Sequence, residues 1–533
     1  MYRSFITKAP LLISGLLFLS LVCIASEIED MREYDSGPSR ESILLPPASY
    51  LEWKEDVLNE DEELSTPIES ITHFENLNLR QCIEIALATN FSLQNRSRDL
   101  MISQSRYREA KAEFIPSLTL SAEAGIGKDR TRKSDDNSDD EHDDGRVETH
   151  RNREKGTVKV LQNIATGGSL EASLDSVRDK SYDRSYTNEA GLRFTQPLLR
   201  EGGFRYGLTE LRTSELSLAD EEIENALSKR GVALDVISQY YTILRNRQDW
   251  MVSLDALEEK RRFLEATRIK FNLDQIPESE ISRAEIQYLQ ESDNVVTRKR
   301  SYEDQLERLL VILGLPLETK ISLDDITKSL LRIEKVSLPS EGECVNEALA
   351  NRLEFIRSDI SIRRQKIELA RTRNDLLPDL DFNFEYSSSD QAGSLGESYN
   401  LRNTNSWDAS LSFSVPFPNI GRKESHKRAL ISLEKLETDH ISLERDIVRE
   451  VRQAYRQVKT NESSLRILKK TVEQALKSLE QERGRFDAGL STSNDVRKAQ
   501  DDLFETQSRY FTELLNYQIN IAKLYNAIGR KPY

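Results

Sequence analysis

Two periodicities alternate along this chain. From Leu79 to about Ile115 apolar and small residues recur at helical spacing (Ile83, Leu87, Phe91, Leu93, Leu100, Tyr107, Ala110, Phe114), and Pro116 ends the pattern. The period then falls to two. Leu118, Leu120, Ala122 and Ala124 alternate with Thr119, Ser121, Glu123 and Gly125, which predicts a strand with one apolar and one polar face. Alternating segments near Thr157 to Leu161 and Ser169 to Leu174, then Ala190 to Gln196 ending at Pro197, fit a strand pair with a long polar excursion. After Pro197-Leu198-Leu199-Arg200-Glu201-Gly202-Gly203 the helical spacing returns and runs to about Leu273, roughly 70 residues or 105 Å at 1.5 Å per residue. Asn272 to Ser279 breaks it, and Ser279 or Glu278 is placed to start the next helix, which ends before Gly314-Leu315-Pro316. The two shorter helices together match the long one in length, so stacked end to end they could run alongside it.

The same layout recurs. Leu192-Arg193-Phe194-Thr195-Gln196-Pro197 is answered by Leu411-Ser412-Phe413-Ser414-Val415-Pro416, and Gly202 by Gly421, all about 219 residues apart. Cys82, Ala86 and Pro116 match Cys344, Ala348 and Pro378, while Tyr240, Phe271, Ala284, Tyr302 and Gly314 match Tyr455, Phe486, Ala499, Tyr517 and Gly529. In the second copy a helix is expected from about Gly342 to Leu377. A strand follows on which Leu380, Phe382, Phe384 and Tyr386 alternate with Asp381, Asn383 and Glu385, then a return strand of Ala409, Leu411, Phe413 and Val415. Helices from about Arg422 to Phe486 and Asn494 to Ile528 complete it. The expected organisation is repeat one over 79–316 with strands about 117–197, an inter-repeat equatorial segment 317–340, and repeat two over 341–533 with strands about 379–416.

Composition favours a long helical object over a compact globule: of 533 residues, 31% are charged and only 37% hydrophobic, with 21 Gly and 14 Pro. A net charge of −16 without a Lys/Arg cluster argues against a nucleic-acid partner, because phosphate binding needs a positive footprint. Residues 1–26 have the form of a signal peptide: Arg3 and Lys8 precede an apolar run from Leu11 to Ile24 that is too short to span a bilayer. Cleavage near Ala25 is the favoured reading. Lipidation of Cys23 is the alternative, although Ser20-Leu21-Val22 lacks the small residue expected just before such a cysteine. Residues 27–78 form an acidic leader, expected to be extended and weakly ordered.

The run Asp135 to Asp144 has carboxylates at alternate positions, as a calcium loop would, but Asp140 stands where the sharp turn needs Gly and no hydrophobic helices flank it. A solvated loop is the better reading. No other segment has the apolar length of a transmembrane helix, so the exported chain is either soluble or enters a membrane as β-structure. Four half-apolar strands per chain cannot close a barrel alone, and an open edge cannot face lipid, so several chains would have to share one. A soluble sandwich with one buried face is the bland alternative.

The doubled order of helix, Pro-x-Leu, strand pair, Gln-Pro-Leu-Leu-Arg-x-Gly-like junction, very long helix and short helix resembles the TolC-like outer-membrane efflux proteins from Leu79 to Lys531. The resemblance implies a mainly α fold with a transmembrane β-barrel: a homotrimer whose twelve strands form one barrel, continued by a periplasmic α-helical tube. It implies a passive channel of a tripartite efflux or type I secretion system, with a periplasmic adaptor and an inner-membrane RND or ABC-type transporter as partners. The family closes its periplasmic end at the turn between long and short helices, here Arg485 to Val496. Gly489 and Ser491 match its tip motif, and Phe271, Asp274 and Phe486 lie on the two tips that the resemblance offers to an adaptor. Asp495 falls at an aperture carboxylate of the family. Lys498 stands where some members have a second acid, and Asp274 stands where copy two has Gly489, so both tips depart from the pattern.

Enzymatic readings fail on inventory. The five His (His73, His142, His150, His426, His440) form no ligand-spaced cluster, there is no phosphate loop or nucleophile elbow, and no cofactor is implied. His426 and His440 are expected on an exposed helix surface. Cys82 and Cys344 occupy matching repeat positions, yet quasi-equivalent sites need not lie within bonding distance, and two packed thiols are the better reading. An exported coiled-coil scaffold without a pore, or a periplasmic adaptor, would share the long helices. Neither accounts for paired amphipathic strands.

Overall fold

The computed structural model describes residues 73–132, 146–179, 185–273, 277–323, 338–392, 394, 404–488, 490, 491 and 493–532. The expected signal peptide with Cys23, most of the acidic leader, the acidic run 135–144, Asp274 and Gly489 lie outside the described residues. The chain divides into two compact units: one takes Ala110–Leu216 with Ile360–Leu433, the other Ser217–Asp359 and Glu434–Tyr533 with the chain before Ala110 from Glu52.

The first unit is built on an antiparallel sheet of β2 (Ser117–Arg132), β3 (Arg146–Asn163), β4 (Ser169–Asp179), β5 (Ser185–Pro197), β7 (Asp379–Ala392) and β8 (Thr404–Ser414), joined in that order. Four strands per chain were expected in it; the sheet has six among the described residues. The alternating segments at Thr157 and Ser169 are full members of the sheet, β3 and β4, and the stretch assigned to a polar excursion holds a complete hairpin.

Registry sorts the side chains into two faces, because the strand period is two. Leu120 lies opposite Val158, Val158 opposite Leu174 and Leu174 opposite Ala190. Leu192 lies opposite Tyr386 and Tyr386 opposite Trp407. One face is therefore apolar across all six strands, and Phe194 meets Phe382 edge-on with ring centroids 6.3 Å apart. The other face carries Ser121, Lys159, Glu171, Arg193, Glu385 and Ser412. On it Lys159 pairs with Glu171 at 2.8 Å, Lys155 with Asp175 at 3.4 Å, and Arg193 with Glu385 at 3.0 Å.

The second unit is helical. Among the described residues the helices are α1 (Leu79–Thr89), α2 (Phe91–Ala112), a short α3 (Phe204–Gly207), α4 (Thr209–Asn272), α5 (Glu278–Leu313), α6 (Glu341–Asn351), α7 (Leu353–Asn374), α8 (Ile420–Asp487) and α9 (Ser493–Ala527). At 64 and 68 residues, α4 and α8 are each roughly 100 Å long at 1.5 Å per residue. The single helices expected over 79–115 and 342–377 are each broken in two, at Asn90 and Arg352, where the backbone leaves the helical region. Side-chain groups take over the orphaned backbone there: Asn90 Oδ1 accepts from the amides of Ser92 and Leu93 at the start of α2. Both α1 and α6 start with a reciprocal capping box, Asn78 with Gln81 and Ser340 with Glu343.

Asn90 has a second task. Its Nδ2 donates to the Ile312 carbonyl at 2.7 Å, and the Thr89 hydroxyl donates to that of Leu313, so the last turn of α5 docks on the α1–α2 break. Gly314 allows the approach, since it has φ 70° and a Cβ there would sit 2.3 Å from the Thr89 carbonyl oxygen. Gly529, at φ 84°, repeats the arrangement after α9 against Asn351. The end-to-end stacking expected from helix lengths thus has a local cause. Beside it β1 (His73–Leu77), from the end of the acidic leader, pairs in parallel with β6 (Lys320–Leu323). The main core gathers Cys82, Ile83, Val236, Ile237, Tyr240, Leu309, Leu313 and Leu515. A second cluster holds Cys344, Ile447, Val451 and Leu524.

Candidate functional site

Three places follow from this construction: the tip between α8 and α9, the strand-to-helix junction, and the two faces of the sheet.

At the tip, the last turn of α8 closes through amide bonds from Ala488 to the Gly484 carbonyl and from Leu490 to that of Arg485, at 3.1 and 2.8 Å. Beneath it Leu479, Ala499 and Leu503 pack together with Val472, Ala475 and Val496. Ser491 is half-buried, and its hydroxyl donates to Glu482 Oε2 at 2.7 Å while Asp495 Oδ2 stands 3.4 Å away. A hydroxyl has one proton, so Ser491 holds Glu482 and leaves Asp495 the longer contact. Glu482 also accepts from Arg485 at 2.7 Å. Asp495 is exposed in the first turn of α9, where the helix dipole favours an anion. Sequence reasoning missed Glu482, which sits a full nine positions before Ser491. No periodic signal marks such a pair, because the turn brings it together.

The other expected tip residues are placed unevenly. Phe271 is half-buried near the end of α4, and Phe486 lies in the last turn of α8, though its side chain is outside the described set. Lys498 is exposed one turn after Asp495.

At the junction, Gln196 at the end of β5 binds the β3–β4 turn. Its Nε2 donates to the Thr166 carbonyl at 3.1 Å, and the Thr166 hydroxyl donates to its Oε1 at 2.7 Å. The Gly203 amide reaches the same Thr166 carbonyl at 2.9 Å. Gly167, at φ 84°, admits the Glu201 carbonyl oxygen to 2.1 Å of where a Cβ would be. Arg200 is ion-paired with Asp379, and the Glu201 amide donates to Asn374 Oδ1 at 2.7 Å. The junction motif is therefore the clasp that fastens the extra hairpin to the sheet.

The apolar face of β2 runs from Leu118 to Ile126, roughly 27 Å along the strand at 3.4 Å per residue and about 20 Å high at a tilt near 40°. That makes an apolar band on one face of the sheet. Beyond the band the same face turns polar: Arg178 pairs with Glu154 at 3.2 Å and lies over the Tyr186 ring at 5.5 Å.

The titratable side chains once set aside have structural roles. His440, expected on the surface, is half-buried, tilted on the Phe355 ring at 4.3 Å and 2.9 Å from the Ser358 hydroxyl. His426 is also half-buried, 3.3 Å from the Thr372 hydroxyl. Both face neighbouring helices because α7 packs along α8. Cys82 and Cys344 are free and buried in different clusters, and burial pushes the Cys82 thiol up to about 12. Among the described residues no cluster of His, Cys, Asp or Glu could hold a metal, and no helix is long and apolar enough to cross a membrane.

Comparison with known proteins places these features. A family model described as outer membrane efflux protein matches residues 344–530. The outer membrane protein TolC of Escherichia coli (strain K12) is 23% identical over 386 residues, 69% of this chain and 75% of that protein. The TolC of Salmonella enteritidis is 23% identical over 381 residues, 69% of this chain and 74% of that protein. Among solved structures, the outer-membrane channel CmeC of Campylobacter jejuni superposes with a TM-score of 0.63 at 13% identity, covering 85% of each chain. The outer membrane protein VceC of Vibrio cholerae superposes with a TM-score of 0.61 at 15% identity, covering 85% of this chain and 97% of its own.

Proposed function

We propose that the chain is a TolC-like outer-membrane efflux protein and serves as the passive outer-membrane conduit of a tripartite efflux or type I secretion system. The observation that carries the reading is the sheet: one face is apolar to the height of a membrane band, the other is charged and hydrogen-bonded, and both edges are open. In the same chain are helices of 64 and 68 residues, long enough to line a tube across the periplasm. The protein is a homotrimer in this reading. The apolar face meets outer-membrane lipid and the charged face meets water in the bore.

Among the described residues nothing resembles a nucleotide site, so the energy for transport comes from an inner-membrane pump of the RND or ABC type, reached through a periplasmic adaptor. The adaptor engages the two tips, around Phe271 and Asp274 and around Phe486, Gly489 and Ser491. Three copies of Asp495 form a ring at the periplasmic aperture, where like charges at close range hold a hydrated or cation-bound constriction.

The reading is tested by extracting the protein from the outer-membrane fraction in detergent, measuring its native mass and imaging it in negative stain. Three-fold end views above a tube are expected. Soluble rods without a ring would sink the channel and favour a scaffold.

A further inference from the structure

The extra hairpin changes what three copies would build. We propose that the membrane barrel of this protein has eighteen strands, closed by pairing β8 of each copy with β2 of the next, a size that rests on the trimer proposed above.

The sheet has two free edges, since β2 is bonded only to β3 and β8 only to β7. All six strands alternate in direction, so an even number leaves β2 and β8 antiparallel, and a neighbouring β2 can continue the pattern at β8 without a break. Side-chain exposure marks the same edges. Leu120, Ile126, Trp407 and Phe413 are 70%, 89%, 73% and 65% exposed, whereas Val158 and Leu192 inside the sheet, on the same face, are 40% and 37%. Unpaired backbone and bare apolar side chains cannot both face lipid, and six strands are fewer than the eight of the smallest such barrels. A second copy of this sheet is the occupant that carries the matching edge.

The hairpin that raises the strand count is a built part of the wall. β4 is bonded along its length on both sides, β3 is bonded to β2 from Arg146 to Leu161 and to β4 from Arg153 to Asn163, and their turn is clasped by Gln196 and Gly203. Charge rules out one register for the seam. The apolar faces must coincide, which leaves alternatives two residues apart. Placing Leu118 opposite Phe413 would set Glu123 against Asp408, two like charges across a strand pair. Placing Leu120 opposite Phe413 removes that conflict: Ile126 meets Trp407, Ala122 meets Leu411, and Ser121 meets Ser412. Barrel diameter grows nearly in proportion to strand number, so the outer-membrane bore falls in the class of aqueous porins with 16 to 18 strands.

The test is double-cysteine cross-linking in native outer membranes. Ser121→Cys on β2 is combined in turn with Ser410→Cys, Ser412→Cys and Ser414→Cys on β8, each pair oxidised with copper phenanthroline, and the native mass of every variant is measured. The native Cys82 and Cys344 are buried and do not compete. The expected result is a particle of three chains that runs as covalent dimers and trimers on a denaturing gel, most strongly for Ser121→Cys with Ser412→Cys. Three-chain particles that stay monomeric on the gel for all three pairs would overturn the eighteen-stranded seam while leaving the channel reading intact. A native mass other than three chains would overturn the trimer, and this barrel with it.

Discussion

At the residue scale, the positive-φ glycines that close α5 and α9, Gly314 and Gly529, have little freedom to vary. Gly314→Ala would need φ 70° and would place a methyl against the Thr89 carbonyl; the backbone cost alone is about 1–2 kcal/mol. The thermal midpoint of the extracted protein should fall. Gly231→Ala, inside α4 with open space at its Cβ, should hold or raise the midpoint, since Gly in a helix interior costs roughly 0.5–1 kcal/mol. Equal losses in both would show that Gly314 has no special role. The periodic repeat of Gly314 and Gly529 is visible in the sequence, but its reason is a backbone two hundred residues away.

At the element scale, the break between α6 and α7 is held by charge. Arg352 is buried and donates to Glu354 at 2.9 Å and to Glu450 at 2.6 Å. Burial pushes the Glu354 carboxyl up, but the hydrogen bond and charge of Arg352 outweigh it and hold the group below its usual value. A carboxylate whose folded pKa is depressed stabilises the fold above its unfolded pKa, near 4.3, and loses that contribution as pH falls through the folded value. Stability should therefore drop on acidification below about pH 4. Arg352→Gln should lower the midpoint at pH 7 by the equivalent of about 1–3 kcal/mol and flatten its acid dependence. An unchanged acid limb in the variant would remove Arg352 from the account. The helix ends, Pro116, Gly314 and Pro378 among them, were legible as punctuation. The breaks at Asn90 and Arg352 were not, because neither residue is a strong helix breaker and each is explained only by what docks there.

At the scale of the whole molecule, the aperture and the loops make separable demands. Asp495→Ala should raise single-channel conductance in a planar bilayer and sensitise cells to large antibiotics, because it removes one carboxylate per copy from the proposed ring. Unchanged behaviour in both assays would count against a gating role and leave Asp495 as an ordinary N-terminal helix residue. Ser491→Ala removes one of the two hydrogen bonds on Glu482, leaving that from Arg485, and should shift the same conductance by a smaller step, which separates the positioning contact from the charge. Deleting Asp135 to Asp144, the acidic run between β2 and β3, should leave the native mass and the outer-membrane location unchanged. Loss of the oligomer on that deletion would make the run a structural element.

The sequence by itself determined the local order: where period 3.6 gives way to period two, where Pro and Gly end each element, and which strand face is apolar. Those are properties of neighbours along the chain. It under-counted the strands: the alternation at Thr157 to Leu161 and Ser169 to Leu174 was visible, but that each is a separate strand with a neighbour on both sides is shown only by the pairing and by ion pairs such as Lys159 with Glu171. Tertiary structure alone decided the hairpin's membership of the sheet, the docking of α5 on Asn90 and the contact of Ser491 with Glu482. Each depends on groups that are not periodic neighbours finding hydrogen-bond partners once the chain has folded, and residue spacing carries no record of such pairings.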